Sequence, residues 1–401
     1  MTEGNNAQTA LAQIPLCEPE LRGREWEYVK ECLDENWISA GGPMLGRFEN
    51  MVAEYVGASH SVAVVSGTAA LHIALLVAGV QPDDEVLVST LTFIAPTNAV
   101  RYVGAWPVFI DSDPDYWQMD PECVRDFLEQ RCVTRGGELI NKTTGRRVSA
   151  VLPVHILGHP CDMDPIVAVS NKYGLKVIED ATESLGAKYK GEMAGHLGDI
   201  ACFSFNGNKL ITTGGGGMIV TDNAEWARRA RFLINQAKDD PLEYVHSEIG
   251  YNYRLSSLQA AVGCAQMESI DDYVQIKRGI AARYQESLAG ITGLEPMREA
   301  PWANSVFWMF TVLVDPDGYG MGSRQLLREL DEAGIQTRPL WQPGHQSQAH
   351  AGSQSQMNGA ADDITRKALN LPCSVGLDLS QQGRVLDALA SLANHPKPNK
   401  I

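Results

Sequence analysis

Short apolar segments recur between residues 60 and 221, and they constrain the fold more than any other feature of the chain. Most are apolar throughout, and helix-forming stretches separate them. Strands of this kind are buried on both faces, as in a parallel sheet covered by helices. The sequence therefore predicts an α/β fold with a mostly parallel central sheet flanked by helices. The predicted strands are 61–65, 85–89, 106–110, 149–154, 175–179, 200–205 and 218–221.

The pattern changes after this region, which predicts a second, smaller domain. Residues 255–287 have the periodicity of one or two long helices, and residues 307–334 mix a strand-like run with a helix. We expect a loose tail at residues 1–13, a large domain over 14–255 and a smaller α+β domain over 256–401.

Two further segments carry structural expectations. Residues 24–35 predict a helix in which Trp26, Val29 and Leu33 recur at helical spacing. The segment 345–362 is rich in small polar residues and has few apolar anchors, so we expect a mobile loop.

Composition excludes several classes of function. A net charge of -16 over 401 residues argues against binding nucleic acid or an anionic membrane through bulk electrostatics. No apolar run is long enough to span a bilayer, and the polar N-terminus does not resemble a secretory signal. The eight cysteines include no Cys-x-x-Cys pair, which favours a reduced, cytoplasmic protein without a zinc ribbon.

Polar residues follow several predicted strands, at the edge where an open parallel sheet binds its ligands. Ser66, Gly67 and Thr68 lie between a strand and a helix, where backbone N–H groups and a hydroxyl can hold a phosphate. The alternative for this turn is a structural N-cap. Asp180 follows another strand, and its carboxylate could pair with a protonated ring nitrogen such as that of pyridoxal 5′-phosphate (PLP). The alternative is a capping box of Asp180 and Glu183.

Lys209 stands just beyond the strand 200–205, in the stretch SFNGNK that begins at Ser204. Desolvation in such a place favours the neutral amine that forms Schiff bases, although most lysines are solvated surface residues. Ser204 can offer its hydroxyl to a phosphate. The four glycines at 214–217 follow Lys209 and therefore do not form a P-loop. The order of a phosphate turn, an acid and this lysine is more specific than any one of the three.

Five motifs carry a resemblance to a known family. SGTAALHIAL, EDATESLGA, FSFNGNK, TTGGGGM and GYNYRL resemble the DegT/DnrJ/EryC1/StrS sugar aminotransferases, from about Pro15 to the C-terminus. The resemblance implies a fold-type-I PLP-dependent aminotransferase. It also implies a homodimer with shared active sites, L-glutamate as the amino donor, and pyridoxamine phosphate as an intermediate form of the cofactor.

The resemblance assigns roles to individual residues. Lys209 matches the lysine that holds PLP as a Schiff base, and Asp180 matches the acid on the pyridinium nitrogen. Glu183 matches the residue near the ring hydroxyl, and Phe93 the aromatic ring that stacks on the cofactor. Asn252 matches an asparagine that reaches the phosphate in the neighbouring subunit. The remaining phosphate positions are matched by Gly67, Thr68 and Ser204.

A narrower resemblance suggests the substrate. VHILGHPCDMDP, EIGYNYRL, GIQTRPLWQP and NLPCSVGL are similar to the branch that acts in bacillosamine and legionaminic acid biosynthesis. Those enzymes aminate C4 of a UDP-linked 4-keto-6-deoxy-N-acetylhexosamine. GDP-4-keto-6-deoxymannose or a dTDP-linked keto sugar is the alternative. Family members that dehydrate carry histidine in place of the lysine, so Lys209 favours transamination. A PLP-binding regulatory protein without turnover is the alternative from another class, and the complete set of motif residues argues against it.

Motif position alone suggests substrate contacts. His155 follows a strand and is expected to face the cofactor, and the spacing of His155, His159 and Cys161 also raises a metal site as a weaker alternative. We predict no metal. The candidate substrate residues are His155, Arg254, Arg338, Trp341 and His345.

Overall fold

The computed structural model describes residues 12–240 and 242–394. The strands are β1 His60–Val64, β2 Glu85–Ser89, β3 Trp106–Ile110, β4 Cys132–Arg135, β5 Glu138–Asn141, β6 Val148–Leu152, β7 Lys176–Asp180, β8 Lys188–Tyr189, β9 Glu192–Met193, β10 Ile200–Ser204, β11 Gly217–Thr221, β12 Leu294–Pro296, β13 Ala303–Asn304, β14 Phe310–Val314, β15 Gln354–Gln356 and β16 Ala368–Leu371.

The helices are α1 Glu25–Asp34, α2 Pro43–Val56, α3 Gly67–Val77, α4 Ala95–Tyr102, α5 Pro121–Asp126, α6 Met163–Lys172, α7 Ala224–Ile234, α8 Ser257–Met267, α9 Ile270–Leu288, α10 Pro316–Tyr319, α11 Ser323–Glu332, α12 Ala360–Lys367 and α13 Leu379–Asn394. In the described part of the chain, none of them is both long and apolar enough to cross a membrane.

The central sheet has eight strands in the order β1-β11-β10-β7-β6-β2-β3-β15. Strand β11 runs antiparallel to both β1 and β10, and the other pairs are parallel. The predicted α/β fold with a mostly parallel sheet is confirmed. All seven predicted strands are present.

Both faces of this sheet are buried, which explains why its strands are apolar throughout. Along β2, Val86 and Val88 join one core cluster, whereas Leu87 joins a second cluster on the opposite face. Successive side chains of a strand point to opposite faces, so a sheet covered on both sides needs apolar residues at every position. Helix α3 packs against β10 and β11, while α6 packs against β7.

Helix α1 forms where the sequence predicts it, but its buried face is a different one. Tyr28 and Cys32 are buried, whereas Trp26 is 78% exposed and Leu33 51% exposed. The hydroxyl of Tyr28 donates to Glu268 at 2.6 Å, which ties α1 to the end of α8. The apolar periodicity of α1 therefore marks a surface that is uncovered in the single chain.

The residues expected to form the smaller domain, 256–401, contain the antiparallel sheet β12-β14-β16. Segments from each side of the expected boundary after residue 255 pack with the other side. Ile14 is buried and pairs with Ile335, so the N-terminal segment packs on the smaller domain. In the opposite direction, β15 adds the eighth strand to the large sheet, parallel to β3.

The segment 345–362 is anchored, in contrast to the expected mobile loop. It contains two short 3-10 turns, the strand β15 and the start of α12. The buried carboxylate of Asp111 accepts backbone N–H bonds from Asn358, Gly359 and Ala361 at 2.7–2.9 Å. Sequence reasoning missed this anchor because Asp111 lies about 250 residues from its partners.

Candidate active site

A cavity of about 370 Å³ opens beyond the carboxyl ends of the parallel strands. Strands β2, β7 and β10 each deliver polar or aromatic residues to it, and the turn after β1 closes one side. This is the edge at which open α/β sheets bind ligands. The lining residues include Ser66, Gly67, Thr68, Thr92, Phe93, Asp180, Glu183, Ser204, Asn206, Asn208, Lys209, Trp308 and Trp341.

The turn after β1 packs closely against the end of β10. Ser66 caps α3, because its hydroxyl accepts the N–H of Ala69 at 3.1 Å. A Cβ atom on Gly67 would lie 2.8 Å from the Cβ of Ser204, so glycine allows this turn to sit against the end of β10. The N-terminus of α3 and the Ser204 hydroxyl thus border the same cavity, which can hold a phosphate. The N-cap alternative is therefore also correct, and it is compatible with an anion site.

Asp180 lies at the end of β7 with 2% of its surface exposed. Its carboxylate accepts the backbone N–H of Thr182 at 3.1 Å. A turn rather than a helix follows it, so the capping-box alternative is wrong. Burial raises the pKa of Asp180, although the bonds from Thr182 and the charge of Lys209 oppose this effect. A cation placed beside this carboxylate would stabilise its ionised form.

Lys209 is held between an acid and an indole ring. Its Nζ lies 3.3 Å from Oε1 of Glu183 and 4.0 Å from the ring centroid of Trp308. Only 13% of the Lys209 side chain is exposed, so the alternative of a solvated surface lysine is wrong. The second oxygen of Glu183 accepts the N–H of Leu157 at 2.8 Å. Burial raises the pKa of Glu183, opposed by the Lys209 charge.

His155 does not line the cavity but supports it from behind. It is fully buried, and its Nε2 lies 2.9 Å from Oε2 of Glu179. Because Nδ1 accepts the N–H of Cys161 at 3.0 Å, Nε2 carries the proton and donates to Glu179. The expected contact of His155 with cofactor or substrate is therefore absent from the geometry.

His159 turns to other partners, accepting the N–H of Ala300 at 3.0 Å. Burial lowers the pKa of His159 to about 4. Within the described residues, no group of His, Cys, Asp or Glu could hold a metal ion.

Of the remaining predicted substrate residues, some line the cavity and others do not. Trp341 lines the cavity. His345 does not, because it is held between Thr90 at 2.7 Å and Asp362 at 3.2 Å. Arg338 is exposed and donates to the carbonyl of Thr337.

Two residues of the GYNYRL motif lie outside the lining of the cavity as well. Arg254 pairs with Val64 beside the phosphate turn. Asn252 is exposed and pairs with Asn235. An exposed Asn252 remains available to a neighbouring subunit, as the resemblance implies.

Sequence reasoning missed several lining residues. Asn206 and Asn208 lie inside the SFNGNK motif, in which the sequence predicts roles only for Ser204 and Lys209. Trp308 comes from the smaller domain, and its Nε1 donates to the carbonyl of Asn208 at 2.6 Å. No local sequence pattern predicts the position of Trp308, because its hydrogen-bond partner Asn208 is 100 residues away.

The donor set fits PLP. It combines a shielded amine that can bond to an aldehyde, a buried acid for a ring nitrogen, and a helix N-terminus with hydroxyls for a phosphate. Phe93, 54% exposed, borders the cavity and offers a ring face for stacking.

Comparison with known proteins agrees with this geometry. The model of the DegT/DnrJ/EryC1/StrS aminotransferase family matches residues 19–390. EpsN from Bacillus subtilis is 39% identical over 95% of this chain and 96% of its own length. A GDP-perosamine synthase from Caulobacter vibrioides is 38% identical over 94% of this chain and 98% of its own. A crystal structure of DesV from S. venezuelae superimposes with a TM-score of 0.85 at 32% identity, covering 96% of this chain and 100% of DesV.

Fold and site together define a PLP-dependent enzyme of the aminotransferase type. The chain belongs to the DegT/DnrJ/EryC1/StrS aminotransferase family. It is a PLP-dependent aminotransferase. The alternative of a PLP-binding protein without turnover is therefore set aside.

Proposed function

We propose that this enzyme moves the amino group of L-glutamate to C4 of a nucleotide-linked 4-keto-6-deoxy sugar. The first candidate is UDP-4-keto-6-deoxy-N-acetylglucosamine. The observation that carries the proposal is the position of Lys209, whose amine lies 3.3 Å from Glu183 in the same cavity as Asp180. We further propose a cytoplasmic location, which the eight free thiols support.

When bound, PLP supplies an electron sink for the carbanion formed beside the amino group. Asp180 keeps the ring nitrogen protonated, because a buried carboxylate is stabilised by that cation. Lys209 would hold the cofactor through its amine, and the same amine would carry the proton to and from the reacting carbon.

The other cavity residues orient the reactants. Gly67, Thr68 and Ser204 would hold the phosphate, and Phe93 would stack on the ring. Glu183, which lies 3.3 Å from the Lys209 amine and orients it, would also face the ring hydroxyl. Trp308 and Trp341 line the same cavity, where their rings would exclude water from the sugar.

Two observations bear on the nucleotide. The motifs of the bacillosamine and legionaminic acid branch support a UDP-linked N-acetylhexosamine. The relative named GDP-perosamine synthase, 38% identical, supports GDP-4-keto-6-deoxymannose as the second candidate. Both fit the same amination chemistry, so the two sugars are compared directly in the experiment below.

The test is a visible absorption spectrum of the PLP-loaded enzyme, followed first with L-glutamate and then with each keto sugar. Glutamate is expected to bleach the band of Lys209-bound PLP, and the correct keto sugar is expected to restore it. Restoration by the UDP sugar alone supports the first candidate, and restoration by the GDP sugar alone supports the second. If glutamate leaves the band unchanged, the proposed donor is wrong.

We also propose a homodimer with shared active sites. Large apolar side chains that the single chain leaves exposed support it, among them Leu242 at 86%, Tyr244 at 87% and Ile249 at 82%. They lie in the same loop region as exposed Asn252, which the resemblance assigns to the neighbouring phosphate. An apolar surface of this kind needs a partner to cover it.

Mixing inactive variants tests the shared site. Lys209→Ala and Asn252→Ala are unfolded and refolded together, so that half of the dimers carry one of each chain. If Asn252 serves the neighbouring site, each mixed dimer has one intact site, and about a quarter of wild-type activity returns. The control mixture of Lys209→Ala with Ser204→Ala stays inactive, because both residues serve the site of their own chain. Equal results from the two mixtures would contradict the proposal.

A further inference from the structure

Two cysteines meet where the N-terminal segment crosses the smaller domain. The N–H of Cys373 donates to the carbonyl of Leu16 at 2.9 Å, which brings Cys373 beside Cys17. The Cys17 sulfur lies 3.4 Å from the carbonyl of Asn208 and the Cys373 sulfur 3.5 Å from the carbonyl of Trp308, and each thiol is a main cause of the pKa shift of the other. Cys373 is buried, whereas Cys17 is partly exposed and borders a surface cavity of about 360 Å³. A small disulfide can therefore reach one sulfur of the pair from solvent.

A buried cation lies next to this pair. Lys277 is 2% exposed, and its Nζ donates to the carbonyls of Trp308 at 2.7 Å and Cys373 at 2.5 Å. Within residues 12–240 and 242–394, no carboxylate forms an ion pair with Lys277. The charge of Lys277 also acts on the Cys373 sulfur and favours its ionised form.

The two sulfurs consequently differ in acidity. The neighbouring Cys17 thiol and the charge of Lys277 lower the pKa of Cys373, against the effect of burial. The pKa of Cys17 is raised, chiefly by the neighbouring Cys373 thiol. By contrast, burial raises the pKa of Cys123 and Cys132 to about 12. Disulfide exchange is favoured where an acidic thiol lies beside a second thiol. Cys123 and Cys132, whose pKa values are raised by burial, lack this arrangement.

The pair also touches the loop that carries Lys209. The sulfur of Cys17 lies 3.4 Å from the carbonyl of Asn208, to which it donates. The same carbonyl accepts the Nε1–H of Trp308, whose ring lies 4.0 Å from the Lys209 amine. The Cys17 sulfur thus contacts Asn208, which lines the cavity and precedes Lys209 in the chain.

We propose that Cys17 and Cys373 form a reversible disulfide that makes the Lys209 loop sensitive to the thiol redox state. A small disulfide such as oxidised glutathione is the oxidant. Cys17 attacks it while Cys373 accepts the Cys17 proton, which gives a mixed disulfide and one glutathione. Cys373 then gives up that proton and attacks the Cys17 sulfur, releasing the second glutathione. Two thiols are oxidised and one glutathione disulfide is reduced to two thiols.

The disulfide removes the thiol donor to Asn208. Its carbonyl then keeps the Trp308 bond alone, and the N-terminal segment becomes covalently tied to the turn after β16. We expect this to change the environment of the amine next to it in the chain. This last step rests on the proposed role of Lys209, whereas the disulfide itself does not.

The disulfide is tested on the PLP-loaded wild-type protein in glutathione buffers of increasing oxidation. The expected result is a loss of two of the eight thiols, restored by dithiothreitol, with a single linked peptide pair containing residues 17 and 373. Cys17→Ser and Cys373→Ser each lose this link, while the control Cys132→Ser keeps it. Unchanged thiols across the series, or loss of two other thiols, would overturn the proposal.

The link to the cavity is tested separately. The absorption band of the Lys209-bound cofactor is followed during the same titration, and we expect a spectral shift with the midpoint of the thiol loss. Cys17→Ser should show no shift. A disulfide that forms without a shift would overturn the coupling and leave the modification site intact. A protein that carries no cofactor band but forms the disulfide would instead count against the proposed role of Lys209.

Discussion

The carboxylate of Glu183 lies 3.3 Å from the amine of Lys209, and both side chains are shielded from solvent. A buried carboxylate at this distance holds the lysine amine in one place and receives a charge-assisted hydrogen bond in return. The indole of Trp308 covers the same amine from another side at 4.0 Å. The lysine is therefore oriented before any cofactor binds, which is the arrangement that a nucleophile for an aldehyde requires.

Replacing Lys209 should abolish both half-reactions. In Lys209→Ala, PLP has no amine to bond to and the proton carrier is lost, so each half-reaction should slow by at least roughly 10²-fold. Single-turnover absorbance with glutamate, and then with the keto sugar, measures both steps. Lys190→Ala is the control, because that lysine is 51% exposed and pairs with Asp164. A variant that retains wild-type rates would refute the assignment of Lys209.

Asp180 should make the cofactor-free protein less stable at neutral pH. Burial raises its pKa in the folded state, so the folded protein binds more protons than the unfolded chain above about pH 4. Stability therefore falls as pH rises through that window. Asp180→Asn keeps an acceptor for Thr182 and should melt at a higher temperature than wild type at pH 7, with the difference vanishing toward pH 4.

Adding PLP should make the wild-type protein melt at a higher temperature than Asp180→Asn. The wild-type carboxylate then faces a protonated ring nitrogen, and its ionised form is stabilised. Melting temperatures of both proteins with and without PLP measure the effect. If the cofactor-free variant is less stable than wild type at pH 7, the buried Asp180 carboxylate does not destabilise the cofactor-free protein.

Glu179 should matter for stability rather than for substrate binding. It accepts bonds from His155 and from the N–H groups of Gly195, Leu197 and Gly198 at 2.6–2.9 Å. Burial pushes the pKa of Glu179 upward, but these bonds outweigh it, and the pKa is lowered. Its contribution is therefore present at neutral pH and lost as pH falls through the lowered pKa. Glu179→Gln should cost about 2–4 kcal/mol of unfolding free energy.

Denaturant unfolding measures that cost. Exposed Glu192 on β9 supplies the control, and Glu192→Gln should stay within about 0.5 kcal/mol of wild type. The Michaelis constant of Glu179→Gln for the sugar should remain unchanged, since Glu179 does not line the cavity. Equal unfolding free energies for the two variants would contradict the structural role.

The elements that sequence reasoning predicted best are those with local signals. Apolar runs such as Val86–Val88 identify buried strands, because a sheet covered on both faces leaves no polar position. Asp180 ends such a strand and Lys209 comes shortly after another, so their place at the sheet edge follows from topology. Trp308, Asp111 and the direction of His155 were not predictable, because each depends on a partner brought close only by tertiary packing.

Helix α1 shows the same limit in another form. The apolar period correctly predicts a helix, but Trp26 and Leu33 are exposed while Tyr28 and Cys32 are buried. A single sequence cannot distinguish an apolar stripe that packs on its own core from one that packs on another subunit.

Loss of the Asp111 carboxylate should release the edge strand β15. One oxygen of Asp111 accepts the N–H groups of Asn358 and Gly359, and the other accepts that of Ala361. Asp111→Asn places an amide against these backbone donors and should cost about 2 kcal/mol locally, which corresponds to roughly 30-fold faster cleavage by subtilisin within 345–362. Asp115→Asn, at an exposed position nearby, should be cleaved at the wild-type rate. Equal cleavage rates for both variants would mean that β15 is held by its pairing with β3 rather than by Asp111.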